Sequence, residues 1–377
     1  MPHLAGRSIK HREIFAALRR EIQSGVWKPG TRLPSEADLV TRFAVSRITV
    51  SRAVRDLQHA GLVERRAGAG TFVKGRTATA DALTFGLLIP DFGETEIFEP
   101  MCHGMMASPR ARDHALIWGS ASGAGIAKEE AAWQLCRQYI DRRVAGVFFA
   151  PLERTPDADE WNQRIGRALD EARIALVLLD RTLRPYPDPG RHDLVGIDNR
   201  RAGFVITDHL LKLGCRRVAF AGALHAAATV DAREAGYREA LFASDVPFDR
   251  SLAARLDVDN ADEVEALLVT GRPDAIVCAN DRTAARMMTT LRRLGRQIPR
   301  DIRLVGIDDV DYARMLPVPL TTLRQPTHQI GDTALSVMLE RVARRDLVPR
   351  HVYLQARLVV RASCGAQGLA QSERPLD

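Results

Sequence analysis

From Leu83 onward, short apolar runs alternate with helical stretches, and no other feature of the chain limits its fold as much. The runs are Leu83–Ile89, Ala115–Trp118, Val144–Phe149, Ile174–Leu179, Leu194–Ile197, Val218–Ala221, Ala275–Cys278 and Ile302–Ile307. They are too short for buried helices and too continuously apolar for strands with one face in water. They predict strands buried on both sides, and therefore parallel sheets with helices on each face. The intervening stretches Glu129–Asp141, Trp161–Ala172, Arg201–Leu213, Ala232–Ala243, Asp281–Leu294 and His328–Arg344 supply those helices. So many strands in one region predict two doubly wound α/β lobes rather than a single sheet. The region is expected to span residues 83–365, with a disordered tail over 366–377.

The first 75 residues follow a different pattern. Ile14, Leu18 and Ile22 place an apolar stripe on a first helix. After Gly25, Pro29 and Gly30, Ser35 is suited to cap a second helix, and Asp38 completes a capping-box pattern. Ala44-Val45-Ser46 forms a tight turn, from which a third helix runs to about Ala60. On that helix Val50, Ala53, Val54 and Leu57 form the buried face, while Ile48, Ser51, Arg52 and Arg55 lie opposite. Leu62–Arg66 and Thr71–Val73 then read as two strands joined through Ala67-Gly68-Ala69-Gly70. The whole is a helix-turn-helix followed by a wing. Gly68-x-Gly70 is not a nucleotide-binding loop, because a strand rather than a helix follows it.

Charge separates the same two regions. Residues 1–76 carry 15 Lys+Arg against 6 Asp+Glu, whereas the remainder carries 39 against 41. All of the net charge of +7 therefore belongs to the small N-terminal module, the electrostatic footprint of a nucleic-acid binder. Lys74–Ala82 lacks large apolar residues and reads as a linker, its core falling at residues 76–82.

The run Pro29-Gly30-x-Arg32-Leu33-Pro34-Ser35-Glu36, with Val45-Ser46-Arg47-x-Thr49-Val50, Gly61-Leu62-Val63 and Gly68-x-Gly70-Thr71-Phe72-Val73, resembles the GntR family of bacterial repressors. The resemblance implies contacts to double-stranded operator DNA from Arg47, Thr49, Ser51 or Arg52, and Gly68. Arg47 leads the recognition helix, where a guanidinium can pair bidentately with guanine. Ser35 and Glu36 either touch DNA or simply cap the second helix. This chain departs from many members in having Ala37 and Ser51 where they carry arginine, which implies a different operator preference.

In open parallel sheets, ligands bind beyond the carboxyl ends of the strands. Asp180-Arg181, Asn280-Asp281 and Asp308-Asp309 stand at such ends, Arg233 opens a helix, and Gln325 follows Leu320–Leu323. Carboxylates, amides and guanidinium groups suit sugar hydroxyls, which both donate and accept. Leu179-Asp180-Arg181, Arg233-x-x-Gly236-Tyr237, Ala279-Asn280-Asp281, Gly306-Ile307-Asp308-Asp309 and Leu320-Thr321-Thr322-Leu323-x-Gln325-Pro326 resemble the sensor domain of LacI/GalR repressors, related to periplasmic sugar-binding proteins. That resemblance implies a small sugar or sugar derivative bound by Asp180, Arg233, Asn280, Asp308 and Gln325, with Phe98 or Trp118 stacking on it. It also implies chain crossings between lobes near Asp180–Pro187, Leu323–Pro326 and Tyr353–Arg357. The LacI-type head and hinge helix are missing, so the pairing of modules is similar to that of arabinose repressors of the AraR type.

These readings imply a cytoplasmic homodimer that regulates transcription, most simply as a repressor, with no cofactor. The alternative is a sugar-binding protein of a transport system, which the basic head and the lack of an apolar leader argue against. Five cysteines without a C-x-x-C offer neither a metal site nor a disulfide framework. No catalytic motif is present: Gly119-Ser120-Ala121-Ser122-Gly123 puts alanine where a hydrolase has its nucleophile. No apolar run is long enough to span a membrane.

Overall fold

The computed structural model describes residues 11–366 apart from 12–13, 20, 23–25, 28–29, 60–61, 67–68, 74–81, 91–95, 120–125, 154, 156, 189 and 225. The wing glycine Gly68, most of the linker and the tail from 367 on lie outside the described residues. The chain divides into two units, Met1–Ala82 and Leu83–Asp377.

In the first unit, helix α1 (residues 14–19) precedes α2 (Glu36–Phe43) and α3 (Arg47–His59). The α2–α3 turn is tight because Ala44 adopts a left-handed φ of 50° and returns its N–H to the Val40 carbonyl. Strands β1 (Val63–Arg66) and β2 (Gly70–Val73) pair antiparallel, and residue 32 bridges to Phe72 to extend the wing at its base. Ile14, Leu18, Leu39, Val50, Leu57 and Val73 meet in one core, so the buried stripe of α3 faces inward and its polar side faces out.

The second unit contains two six-stranded sheets. The first lobe orders its strands β13 (His351–Leu354), β7 (Asp193–Ile197), β6 (Ala175–Leu179), β5 (Gly146–Phe149), β3 (Thr84–Leu88) and β4 (Ala115–Trp118), all parallel. The second orders β14 (Arg357–Val359), β12 (Thr321–Arg324), β11 (Arg303–Asp308), β10 (Ala275–Cys278), β8 (Val218–Gly222) and β9 (Ala253–Arg255), with only β14 antiparallel. In the first lobe, α4 (Phe98–Ala107) and α11 (Thr327–Ala343) cover one face, and α5 (Lys128–Asp141) and α6 (Ala158–Glu171) the other. In the second lobe, α7 (Asn199–Lys212) and α8 (Ala228–Ala243) lie opposite α9 (Ala261–Gly271) and α10 (Asp281–Arg293). This is the expected doubly wound α/β architecture.

One expected crossing is corrected. The chain does not leave the first lobe near Asp180–Pro187, because β7 pairs with β6 and returns to the same sheet. It leaves between Ile197 and Asn199, the end of β7 and the start of α7. The other two crossings join β12 to α11 and β13 to β14.

Glycines set how closely the helices pack. A Cβ on Gly203 of α7 would lie 1.9 Å from the Arg233 carbonyl oxygen, and one on Gly236 of α8 would lie 1.8 Å from that of Arg200. The two helices thus meet backbone to backbone, at a distance only glycine permits. This crossing fixes the height at which α8 presents Arg233.

Candidate functional site

The described part of the first unit presents a cationic face. Arg47, the first residue of α3, has an 83% exposed side chain, and Arg52 and Arg55 are exposed on the same side. Glu36 lies between two of the arginines, its carboxylate oxygens 3.6 Å from Arg47 Nε and 3.7 Å from Arg65 Nη2 of the wing. Exposed pairs of this length contribute little stability. Their effect is to hold the recognition helix and the wing cation around one anionic pivot. Ser35 forms both halves of a capping box: its Oγ accepts from Asp38 N (3.2 Å), and Asp38 Oδ2 accepts from Ser35 N (3.0 Å). Thr49 is half-buried, its hydroxyl 2.8 Å from that of Ser46 at the turn, and Ser51 is also half-buried.

The second unit gathers buried charges at the carboxyl ends of its strands. In the first lobe Asp180 and Arg181 follow β6, and both side chains are at most 5% exposed. Arg181 pairs with buried Glu153 at 2.9 Å and donates from Nε to the Pro151 carbonyl at 2.8 Å. Its guanidinium also lies over the ring of Phe98, 5.6 Å from the centroid. Phe98 itself is fully buried in the core, so its ring supports Arg181 rather than standing open in the cleft. Trp118 is exposed at the end of an edge strand.

In the second lobe the Arg233 side chain is 4% exposed and every nitrogen of its guanidinium is engaged. Nε donates to Asn199 Oδ1 (2.8 Å), Nη1 donates to the Ala279 carbonyl (2.6 Å), and Nη2 lies 3.6 Å from Asp308 Oδ1. The same Asp308 oxygen accepts from Gln325 Nε2 at 2.8 Å. Burial raises the Asp308 carboxyl to about 8, opposed by Arg233 and reinforced by Asp281 and by Asp180 of the facing lobe. Asp281 is fully buried behind it, accepting from Thr322 Oγ1 (2.6 Å) and Val310 N (3.1 Å), and burial pushes it up to about 6. Asn280 uses its side-chain oxygen to cap α10, accepting from Thr283 N at 2.8 Å.

Two features of this cluster stand out. Asp180 Oδ1 and Gln325 Oε1 are buried without a hydrogen-bond partner, although such groups are normally satisfied. Backbone strain also concentrates here: Asp180, Asp308 and Asp309 have φ of 69°, 133° and 56°, values that cost a non-glycine residue about 1–3 kcal/mol each. A cavity of about 180 Å³ lies beside the cluster, lined by Glu153, Asn162 and Arg181 of one lobe and Ala226–Ala228 of the other. Across the cleft, the Tyr312 hydroxyl donates to Glu96 at 3.2 Å. A larger cavity, about 370 Å³, lies on the flank of the first lobe against α6. Among the described residues no buried polar atom there lacks a partner.

Asp180, Arg233, Asp308 and Gln325 are therefore brought together, whereas Asn280 caps a helix beside them. Sequence reasoning did not select Glu153 or Asn199. Asn199 stood in plain view after the Val195–Ile197 strand, but Glu153 lies in a loop four residues past β5, with no periodic signal.

Comparison with known proteins identifies both parts of the chain. Residues 10–73 match the description "Bacterial regulatory proteins, gntR family", and residues 207–364 match "Periplasmic binding protein-like domain". The HTH-type transcriptional regulator CelR of Thermobifida fusca is 30% identical over 329 residues, spanning 84% of this chain and 89% of CelR. The chain belongs to the HTH-type transcriptional regulators. In this regulator a GntR-type head precedes a LacI-type, periplasmic-binding-protein-like sensor domain, and the protein binds DNA to control transcription. It is also similar to the arabinose metabolism transcriptional repressor of Geobacillus stearothermophilus, 27% identical over 90% of this chain and 92% of that one. Among solved structures, the CelR–cellobiose complex aligns with a TM-score of 0.63 at 26% identity, covering 85% of this chain and 91% of that one. A GntR regulator from Chromobacterium violaceum aligns with a TM-score of 0.59 at 28% identity, covering 74% and 99%. No helix among the described residues is long and apolar enough to cross a membrane.

Proposed function

We propose that the regulator is a homodimeric repressor whose operator affinity is set by a small, uncharged sugar held between the two sensor lobes. The observation that carries the reading is the buried polar cluster: Asp180 from one lobe and Arg233, Asp308 and Gln325 from the other, with Asp180 Oδ1 and Gln325 Oε1 lacking partners. Two buried acceptors beside a buried guanidinium match the paired donor and acceptor character of sugar hydroxyls. The names of the relatives support it, since one is a repressor of arabinose metabolism and another is solved with cellobiose. A binding role without catalysis fits the two relatives named above, both transcriptional regulators, and a cytoplasmic location fits DNA as the partner. In the head, the proposed DNA contacts are Arg47, Thr49, Ser51 and Arg52, with Glu36 bracing Arg47 and Ser35 capping α2.

A ligand that binds the folded state alone raises its melting temperature. A thermal-shift survey of neutral monosaccharides and disaccharides, followed by DNA-binding titrations with each stabilising sugar, tests the reading. The expected result is a sugar that both raises Tm and lowers DNA affinity, with both effects lost in Asp308→Ala. Stabilisation with unchanged DNA affinity would remove the regulatory part of the proposal. No stabilisation by any sugar would remove the sugar.

A further inference from the structure

We propose that Ile48 reads thymine methyl groups in the operator, so that part of the sequence preference of this regulator comes from an apolar contact rather than a hydrogen bond. The inference rests on the DNA-binding function of the head and concerns a residue outside the set that the family pattern selects. Ile48 is the second residue of α3 and is 78% exposed. At about 100° per residue, it points directly away from Leu57, the residue at the centre of the buried stripe. On the outward arc Arg52 and Arg55 lie within about 40° of it, one and two turns along, and Arg47 precedes it at the start of the helix; all three are exposed.

An isoleucine at that position contributes nothing to the folded head by itself. It buries almost no area there, and a β-branched side chain lowers helix propensity. A single exposed apolar residue usually requires no explanation. This one stands in the first turn of the helix that faces the DNA, the same helix that carries the exposed Arg47, Arg52 and Arg55. The charges bring that helix to the phosphates and base edges, and the apolar tip beside them has no polar group of its own to contribute. In the major groove, the C5-methyl group of thymine is the apolar feature that separates T·A from the other base pairs. Ile48 matches it in chemistry, and these arginines supply the attraction that brings the two together.

The test uses the full-length chain and duplexes that it enriches from a random DNA library. The tightest duplex is remade with deoxyuridine at each thymine in turn, which deletes one methyl group and leaves every hydrogen-bonding group in place. Dissociation constants are then measured for the parent and for Ile48→Ala, whose exposed position leaves the fold intact. At one or two thymines in each half-site, uracil is expected to weaken the parent about fourfold, the effect of one methyl group returned to water. The same replacement should leave Ile48→Ala essentially unchanged. The proposal is overturned if uracil is tolerated by the parent at every position, or if it weakens the parent and Ile48→Ala equally. Failure to enrich any duplex would overturn the DNA-binding reading beneath it, an outcome distinct from both.

Discussion

The head and the sensor domain hold their functional groups in opposite ways. In the head, Arg47, Arg52 and Arg65 stand in solvent, tied at most to Glu36 by long ion pairs. In the sensor, Arg233 and Gln325 are buried and held by hydrogen bonds, and Asp180 is buried beside Arg181. The contrast fits the two ligands proposed above. Duplex DNA is a polyanion too large to enclose, so cations serve it best from an accessible surface, where phosphate attraction is long-ranged and salt-dependent. A small sugar offers little charge and must be recognised by hydrogen bonds, which discriminate only where water is excluded and the partners are fixed in advance. Truncations should therefore affect stability in the sensor and affinity in the head.

The largest effect is expected from Arg233→Ala. It removes the counter-charge of Asp308 and should destabilise the sensor by about 3–5 kcal/mol in chemical denaturation well above pH 8, where the parent carboxyl is ionised beside Arg233. The loss should shrink as the pH falls through about 8, where Asp308 takes up a proton. A variant as stable as the parent would show that the cleft charges are as loosely held as those of the head. Next, Gly236→Ala drives a Cβ against the Arg200 carbonyl and should cost about 1–3 kcal/mol, with weaker sugar binding as Arg233 shifts. By contrast, Arg47→Ala should weaken specific DNA binding by about 1–3 kcal/mol and leave the sensor melting temperature unchanged. A fall in that melting temperature would break the comparison from the other side.

Two smaller effects sharpen it. Burial raises the Asp308 carboxyl from 3.8 to about 8, so the folded state holds this proton more tightly than the unfolded chain does. The associated stability is present below about pH 4 and is lost as the pH rises through about 8. Asp308→Asn should therefore flatten the decline in sensor Tm between pH 6 and 8. Ser35→Ala removes the N-cap of α2 and should cost the head about 1 kcal/mol. If its loss of DNA affinity far exceeds that, Ser35 touches DNA as well as capping the helix.

The strands that the sequence concealed are instructive. Strands β9, β13 and β14 lie at or next to sheet edges and keep partly exposed residues, so they lack the continuous apolar run that marks a two-sided strand. Strand β12 is buried but begins Thr321-Thr322, whose hydroxyls serve as polar partners: one donates to the Arg361 carbonyl and the other to Asp281. The placement of Asp180 and Asp308 at the carboxyl ends of their strands was legible because each closes an apolar run. Asn199 was overlooked because its role depends on α8 delivering Arg233 beside it.

The sequence by itself determined the kinds of elements and the two chemistries: apolar periodicity dictates buried strands and helix faces, and local composition dictates where positive charge accumulates. Tertiary structure alone decided where the chain changes lobes, which side chains converge, and which carboxylates lose water. Those outcomes depend on strand pairing and on the contact of Gly203 with Gly236's helix, interactions between residues far apart in the chain that no local pattern encodes.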